Sequence, residues 1–171
     1  YENISTIMFL SPEVAAVGLN EQKAQELKIP IRVSKIDYSM IARAIAMRKT
    51  TGFFKIIVSD DDDMKVLGMR AVGEHASSAI QSVALLMYMN KGIDELAHMI
   101  HPHPSIVEGV QECVRMLIGK SIYKSSVFKD KLKCYKRTID GEKLPLHTLT
   151  DHSDENLNRE KMREMNRTQL N

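Results

Sequence analysis

The sequence has 171 residues, 43% of them apolar and 27% charged, with 24 Lys+Arg against 22 Asp+Glu and a formal charge of +2. This composition fits one globular domain with a core and an appendage, and it excludes a disordered chain, a membrane-spanning segment, and a bulk charge that would select a polyanion. Two cysteines, Cys113 and Cys134, are too few for a disulfide framework, so a reducing, cytoplasmic setting is expected.

The opening segment YENIST has neither an initiator Met nor a signal-peptide pattern, so a fragment or processed product is expected. Ile7 to Leu10 is a short apolar run and a predicted strand, interrupted by Ser11-Pro12. Val14 to Val17 resumes as a second extended piece closed by Gly18. Asn20 has the character of an N-cap before a short helix over Glu21 to Leu27, which Pro30 ends. Ile31, Val33 and Ile36 suggest another strand. Phe53 to Val58 is nearly all apolar and bounded by Gly52 and Asp60, as in a strand covered on both faces. After the polar turn DDDDM, Lys65 to Val72 returns, so residues 53–72 form a predicted hairpin.

From Glu74 to Asn90 the apolar period becomes helical, with Ala76, Ala79, Ile80, Val83, Leu86 and Met87 on one face. Lys91-Gly92 stops that helix, and a shorter one follows over Ile93 to Ile100. The prolines of HPHPS forbid a helix there. Next, Ile106, Val110, Cys113, Val114 and Leu117 form an apolar stripe opposed by Glu108, Gln111, Glu112 and Arg115, which predicts an amphipathic helix on a sheet. The element order predicts an α+β fold with a largely antiparallel sheet packed against helices.

After Gly119 the character changes. Residues 120–171 carry 12 Lys+Arg and 8 Asp+Glu, and Lys120 to Arg137 alone has seven bases and one acid. Residues 1–119 are therefore taken as the domain proper and 120–171 as a basic extension, helical or irregular, with Asp154 capping a final polar helix. A solvated helix or an arm packed on its own subunit is favoured over a nucleic-acid or lipid-binding surface.

His98, His101, His103 and Glu108 make the densest polar constellation, and four readings compete for it. Ser105 to Glu108 fits a capping box that opens a helix. The three imidazoles offer metal ligands, at spacings that match no strong zinc signature. His103 is a conceivable base for Cys113, although the apolar stripe makes that cysteine a small core residue. Finally, His103 and Glu108 fit an acid/base pair, in which the carboxylate fixes the tautomer of an imidazole that titrates near neutral pH.

Four segments resemble the interface domain of pyridine nucleotide–disulfide oxidoreductases. SPEVAAVG (11–18) is similar to T-x-P-E-V-A-x-V-G. Ala42-Arg43-Ala44 followed by TGFFKII, and then Val66-Leu67-Gly68, resemble the next two blocks. HPHPSIVE (101–108) is similar to H-x-H-P-T-x-S-E. The order and gaps match over residues 7 to about 118. Leu10 and Ser105 stand where Thr is usual, and Val107 stands where Ser is usual.

The resemblance implies an FAD/NAD-linked reductase dimerisation domain, most like that of dihydrolipoamide dehydrogenase, in a homodimer that acts on a small dithiol or disulfide. It makes His103 the acid/base for a thiol and Glu108 its orienting partner. His103 and Pro104 would reach the partner subunit's flavin, with His101 in support and the bond before Pro104 a candidate for cis. FAD and NAD(P) would be bound mainly by domains outside this chain, since no G-x-G-x-x-G or redox C-x-x-x-x-C is present. No metal site, membrane attachment or nucleic-acid partner is expected, and the fragment by itself is expected to be inactive. The alternatives are a soluble transhydrogenase-like, mercuric reductase-like or glutathione reductase-like member, or a free-standing dimerisation module without redox activity.

Overall fold

The computed structural model describes residues 3–124 and 127–146, so the polar helix expected after Asp154 lies outside the described residues. In chain order the elements are β1 (Thr6–Met8), β2 (Val14–Gly18), α1 (Glu21–Glu26), β3 (Ile31–Asp37), a 3-10 turn (Tyr38–Met40), α2 (Ala42–Ala46), β4 (Phe53–Ser59), β5 (Val66–Val72), α3 (Ala76–Tyr88), α4 (Asp94–His98), α5 (Glu108–Leu117), β6 (Leu132–Arg137) and β7 (Lys143–Pro145). The strands form one sheet in the order β1-β2-β5-β4-β3-β6-β7, and every neighbouring pair is antiparallel. The expected α+β class and its antiparallel sheet are what the structure has.

Strand alternation decides the two faces. Ile36, Phe54, Ile56, Met69 and Ala71 point to one side, where α3 packs on β5 and β2 while α5 packs on β3 and β4. Ile31, Val33 and Ile57 point to the other side, where α1 places Ala24 over them. The central strand β4 is thus apolar on both faces, as its run FFKIIV predicts. At the sheet's end, β1 is exposed throughout, and Leu10 falls outside it.

Local chemistry accounts for the element boundaries. The Asn20 side chain accepts the Lys23 amide at 2.7 Å and opens α1. α3 has no cap from its own preceding residue; instead Glu13, just before β2, accepts from the Ser77 amide at 3.1 Å and the Ser77 hydroxyl at 2.8 Å. That places a carboxylate on the positive end of the helix. Gly73 (φ +137°) lets the chain pass the Tyr38 ring, which a Cβ there would meet at 2.4 Å. The five-residue α2 was not expected from the sequence, because it is short and no side chain caps it.

The extension was expected to be helical or irregular and packed on its own subunit. Its described part does pack there, but its regular elements among the described residues are strands: after a turn over residues 127–131, β6 pairs with β3 over six residues and β7 closes the edge. Charges of β6 are answered across the sheet. Tyr135 donates to Glu21 at 2.7 Å, and Lys55 pairs with the same carboxylate at 2.9 Å. Asp60 accepts from Arg32 at 2.8 Å and also pairs with Lys136. Among the described residues, no helix is long and apolar enough to cross a membrane.

Burial works to raise the pKa of Asp60, but Lys136 and Arg32 outweigh it and hold the carboxyl below its ordinary range. Burial likewise opposes Lys55, Tyr135 and Lys143 at Glu21, again with a net lowering. The stability these two carboxylates contribute is therefore present above the ordinary carboxylate pKa of about 4 and lost as pH falls through their depressed native values. The urea midpoint of the chain should drop on acidification through that range. Asp60→Asn should cost about 2 kcal/mol at neutral pH, because two cations lose a nearly buried acceptor, and it should flatten the acid response. An unchanged midpoint in the variant at pH 7 would show that the triad is idle.

Candidate functional site

The site forms where the chain leaves α4, passes through HPHPS and enters α5. His103-Pro104 is a cis peptide. Glu108, the first residue of α5, divides its two oxygens. Oε1 accepts from His103 Nδ1 at 2.7 Å, and Oε2 accepts from the Ser105 amide at 2.8 Å. The carboxylate arm of the capping box and the His–Glu pair therefore coexist. The other half of the box is absent: the Ser105 hydroxyl is buried without a partner, and α5 is capped at Val107 without a side-chain bond.

The electrostatics suit a carboxylate. Burial works against ionisation of Glu108, but the Ser105 amide, His103 and the charge of Arg115 prevail and hold it below the usual range. An ionised Glu108 fixes the proton of neutral His103 on Nδ1, which leaves Nε2 as the acceptor. The His103 side chain is 72% exposed even though Nδ1 is engaged, so Nε2 is open to an incoming group. Such an arrangement can accept a proton at Nε2, with the Glu108 carboxylate three-quarters covered behind the ring.

The other imidazoles are turned to separate partners. His98 Nδ1 bonds the Asp94 carbonyl at 2.8 Å. His101 is buried and bonds the Met99 carbonyl at 3.2 Å. Burial pushes the pKa of His101 down, Arg115 adds to this, and the Met99 bond and Glu108 oppose it. Burial thus favours the neutral form of His101, whose Nδ1 is held on the backbone of its own loop. Cys113 lies on the buried side of α5, its thiol 3.7 Å from the Phe54 carbonyl and its pKa pushed far up by burial. It is a core residue, as its place in the apolar stripe suggested.

Two features were not legible locally. The apolar stripe predicts Glu112 on the solvent face of α5, yet it is only 3% exposed, because Ser121 and Tyr123 fold over it. Its position four residues after Glu108, on the same helix face, was the available signal. The second is Gly109. A Cβ there would stand 2.5 Å from Ile41 Cδ1 and 2.6 Å from Phe54 Cδ2, so the turn bearing Glu108 sits directly on the core.

Residues 4–114 match the family described as the pyridine nucleotide-disulphide oxidoreductase dimerisation domain. The dihydrolipoyl dehydrogenase of Chlamydia trachomatis serovar D is 36% identical over 123 residues, which is 72% of this chain and 26% of that protein. That of Staphylococcus aureus is 32% identical over the same length and shares. Among solved structures, LpdA from Mycobacterium tuberculosis matches with a TM-score of 0.62 at 26% identity, covering 66% of this chain and 24% of that one. The HOCl-induced flavoprotein disulfide reductase RclA from Escherichia coli matches with a TM-score of 0.64 at 26% identity, covering 68% and 26%. The chain spans about a quarter of the length of the curated relatives it matches.

Proposed function

This chain belongs to the pyridine nucleotide-disulphide oxidoreductase dimerisation-domain family, and we propose that it serves an FAD-dependent, dihydrolipoyl dehydrogenase-like disulfide oxidoreductase of the cytoplasm. In that enzyme it lends His103 and Glu108 to the flavin and redox-disulfide site of a partner subunit. The observation that carries this reading is the 2.7 Å His103–Glu108 pair beneath an imidazole whose other edge is open. A proton acceptor held at the surface by a covered carboxylate suits a substrate and a cofactor presented by another chain.

The surroundings support a homodimer. Leu85, Tyr88 and Met89 at the end of α3, and Met99 and Ile100 beside the His-Pro loop, are all exposed, and Ile100 is 93% so. Large apolar side chains this bare are what a buried interface between copies would cover. The loop also fits a flavin reached across such an interface. It offers His103 and Pro104 but no glycine-rich phosphate cradle, so FAD and NAD(P) would be held mainly by other domains.

Bound FAD would supply the two-electron acceptor. The part played by this chain is proton handling. As the sulfur of a dithiol substrate bonds to one sulfur of the enzyme's disulfide, the other sulfur leaves as thiolate and His103 Nε2 takes the substrate thiol proton. Glu108 keeps Nδ1 protonated beforehand and stabilises the imidazolium afterwards. In the reverse direction the same nitrogen returns the proton.

The test is the visible spectrum of the complete polypeptide before and after addition of a dithiol. A flavin spectrum that gains a long-wavelength thiolate-to-flavin band is expected. Flavin without that band would favour a transhydrogenase-like enzyme, and absence of flavin would leave only a dimerisation module.

A further inference from the structure

Glu112 is a buried carboxylate that the proposed chemistry does not use. Burying a charged group is costly, and an apolar residue of similar size would suit a covered helix face better. One oxygen, Oε1, takes the hydroxyl of Ser121. The other, Oε2, is buried without a hydrogen bond of good geometry, with the Arg115 guanidinium 3.7 Å away and the Ile122 backbone also close to the carboxyl. A half-satisfied acid in this position calls for an explanation beyond stability.

Following its contacts outward traces a closed circuit. The Ser121 hydroxyl that donates to Glu112 also accepts the Tyr123 amide at 3.1 Å. The Tyr123 hydroxyl donates to the Met40 carbonyl at 2.8 Å, and its ring meets Phe128 edge-on at 6.3 Å. Met40 is followed by Ile41, whose Cδ1 lies against Gly109. Gly109 is the neighbour of Glu108. The segment after α5 thus grips the helix at Glu112, and at its other end it fixes the strand-to-helix connection on which the Glu108 turn rests. Glu108 and Glu112 are one helical turn apart, about 6 Å along the axis, so the grip acts on a rigid piece.

We propose that Glu112, with Ser121 and Tyr123, forms a clamp that sets the position of the Glu108 carboxylate and through it the His103 ring. Glu112 is a positioning residue in this scheme and touches no substrate. The clamp lies partly beyond residue 114, where the family match ends, so the segment after α5 participates in the site. The inference rests on the acid/base reading of His103 and Glu108.

The experiment compares Glu112→Ala, Glu112→Gln, Ser121→Ala and His103→Gln in the complete polypeptide, reading kcat and KM for a dithiol together with the flavin spectrum. Misplacing a catalytic group by less than an ångström is expected to lower kcat roughly 10- to 100-fold in Glu112→Ala, with KM little changed. Ser121→Ala should move in the same direction. Glu112→Gln keeps an oxygen for the Ser121 hydroxyl and should restore kcat to near the parent value. If Glu112→Ala and Ser121→Ala lose only thermal stability and keep kcat, the clamp is wrong. It is also wrong if Glu112→Gln is as slow as the alanine variant. Should Glu112→Ala fail to fold, Ser121→Ala decides on the same criterion. Normal turnover in His103→Gln would overturn the acid/base reading and the clamp with it. A slow His103→Gln beside unaffected clamp variants would overturn the clamp alone.

Discussion

Replacing His103 with Gln in the complete polypeptide should lower dithiol oxidation by roughly 10²- to 10⁴-fold, the usual weight of a positioned general acid/base. Stability should hardly change. The ring is largely exposed, and its described hydrogen bond is the one with Glu108. A Gln side chain has an amide that can still donate to that carboxylate, and surface substitutions that create no cavity usually stay within about 0.5 kcal/mol. Flavin content and dimerisation should therefore be kept. This separates loss of a proton acceptor from loss of a fold. Turnover near the parent level would show that the exposed Nε2 edge does not serve the thiol, leaving Glu108 with its bond to the Ser105 amide as a helix-capping residue alone.

The parts of this structure that could be read from the sequence are those whose information is local. The hairpin of β4 and β5 follows from two strand-length apolar runs around a polar turn. α3 and α5 follow from helical spacing. Asn20 announces α1 because a cap and its amide are three residues apart. The His103–Glu108 pair was legible as one of several possibilities, since five residues is a short reach across a turn. What was hidden depends on partners far along the chain. β6 carries three bases and a tyrosine in six residues and reads as a solvated arm, until Glu21 and Asp60, both at least 75 residues earlier, are seen to accept its charges. Glu112 reads as solvent-facing until Ser121 and Tyr123 close over it. The cap of α3 was invisible for the same reason, because the carboxylate on Ser77 comes from Glu13. Local pattern therefore located the candidate residues, while the partners of β6, of Glu112 and of the α3 N-terminus depend on contacts distant in the sequence.

Phe54→Ala should be the most destabilising of the changes considered, at about 3–5 kcal/mol. Domains of this size have only about 5–15 kcal/mol in total, so the urea midpoint should fall steeply. The reason is position as much as size. Phe54 is fully buried in the central strand, with its ring centroid 5.0 Å from that of Tyr38. Its ring edge lies where a Cβ on Gly109 would be, and its backbone carbonyl faces the Cys113 thiol. Truncation would open a cavity between β4 and the first turn of α5, and close packing allows only partial collapse into it. Phe54→Leu should lose much less, since most of the volume is retained. The cavity would lie directly under the turn that carries Glu108. Phe54→Ala should therefore also slow dithiol oxidation at temperatures where the protein is still folded, whereas an equally destabilising change on the α1 side, such as Ile57→Ala, should not. Equal turnover losses in the two variants would show that activity follows global stability and not the seating of the Glu108 turn.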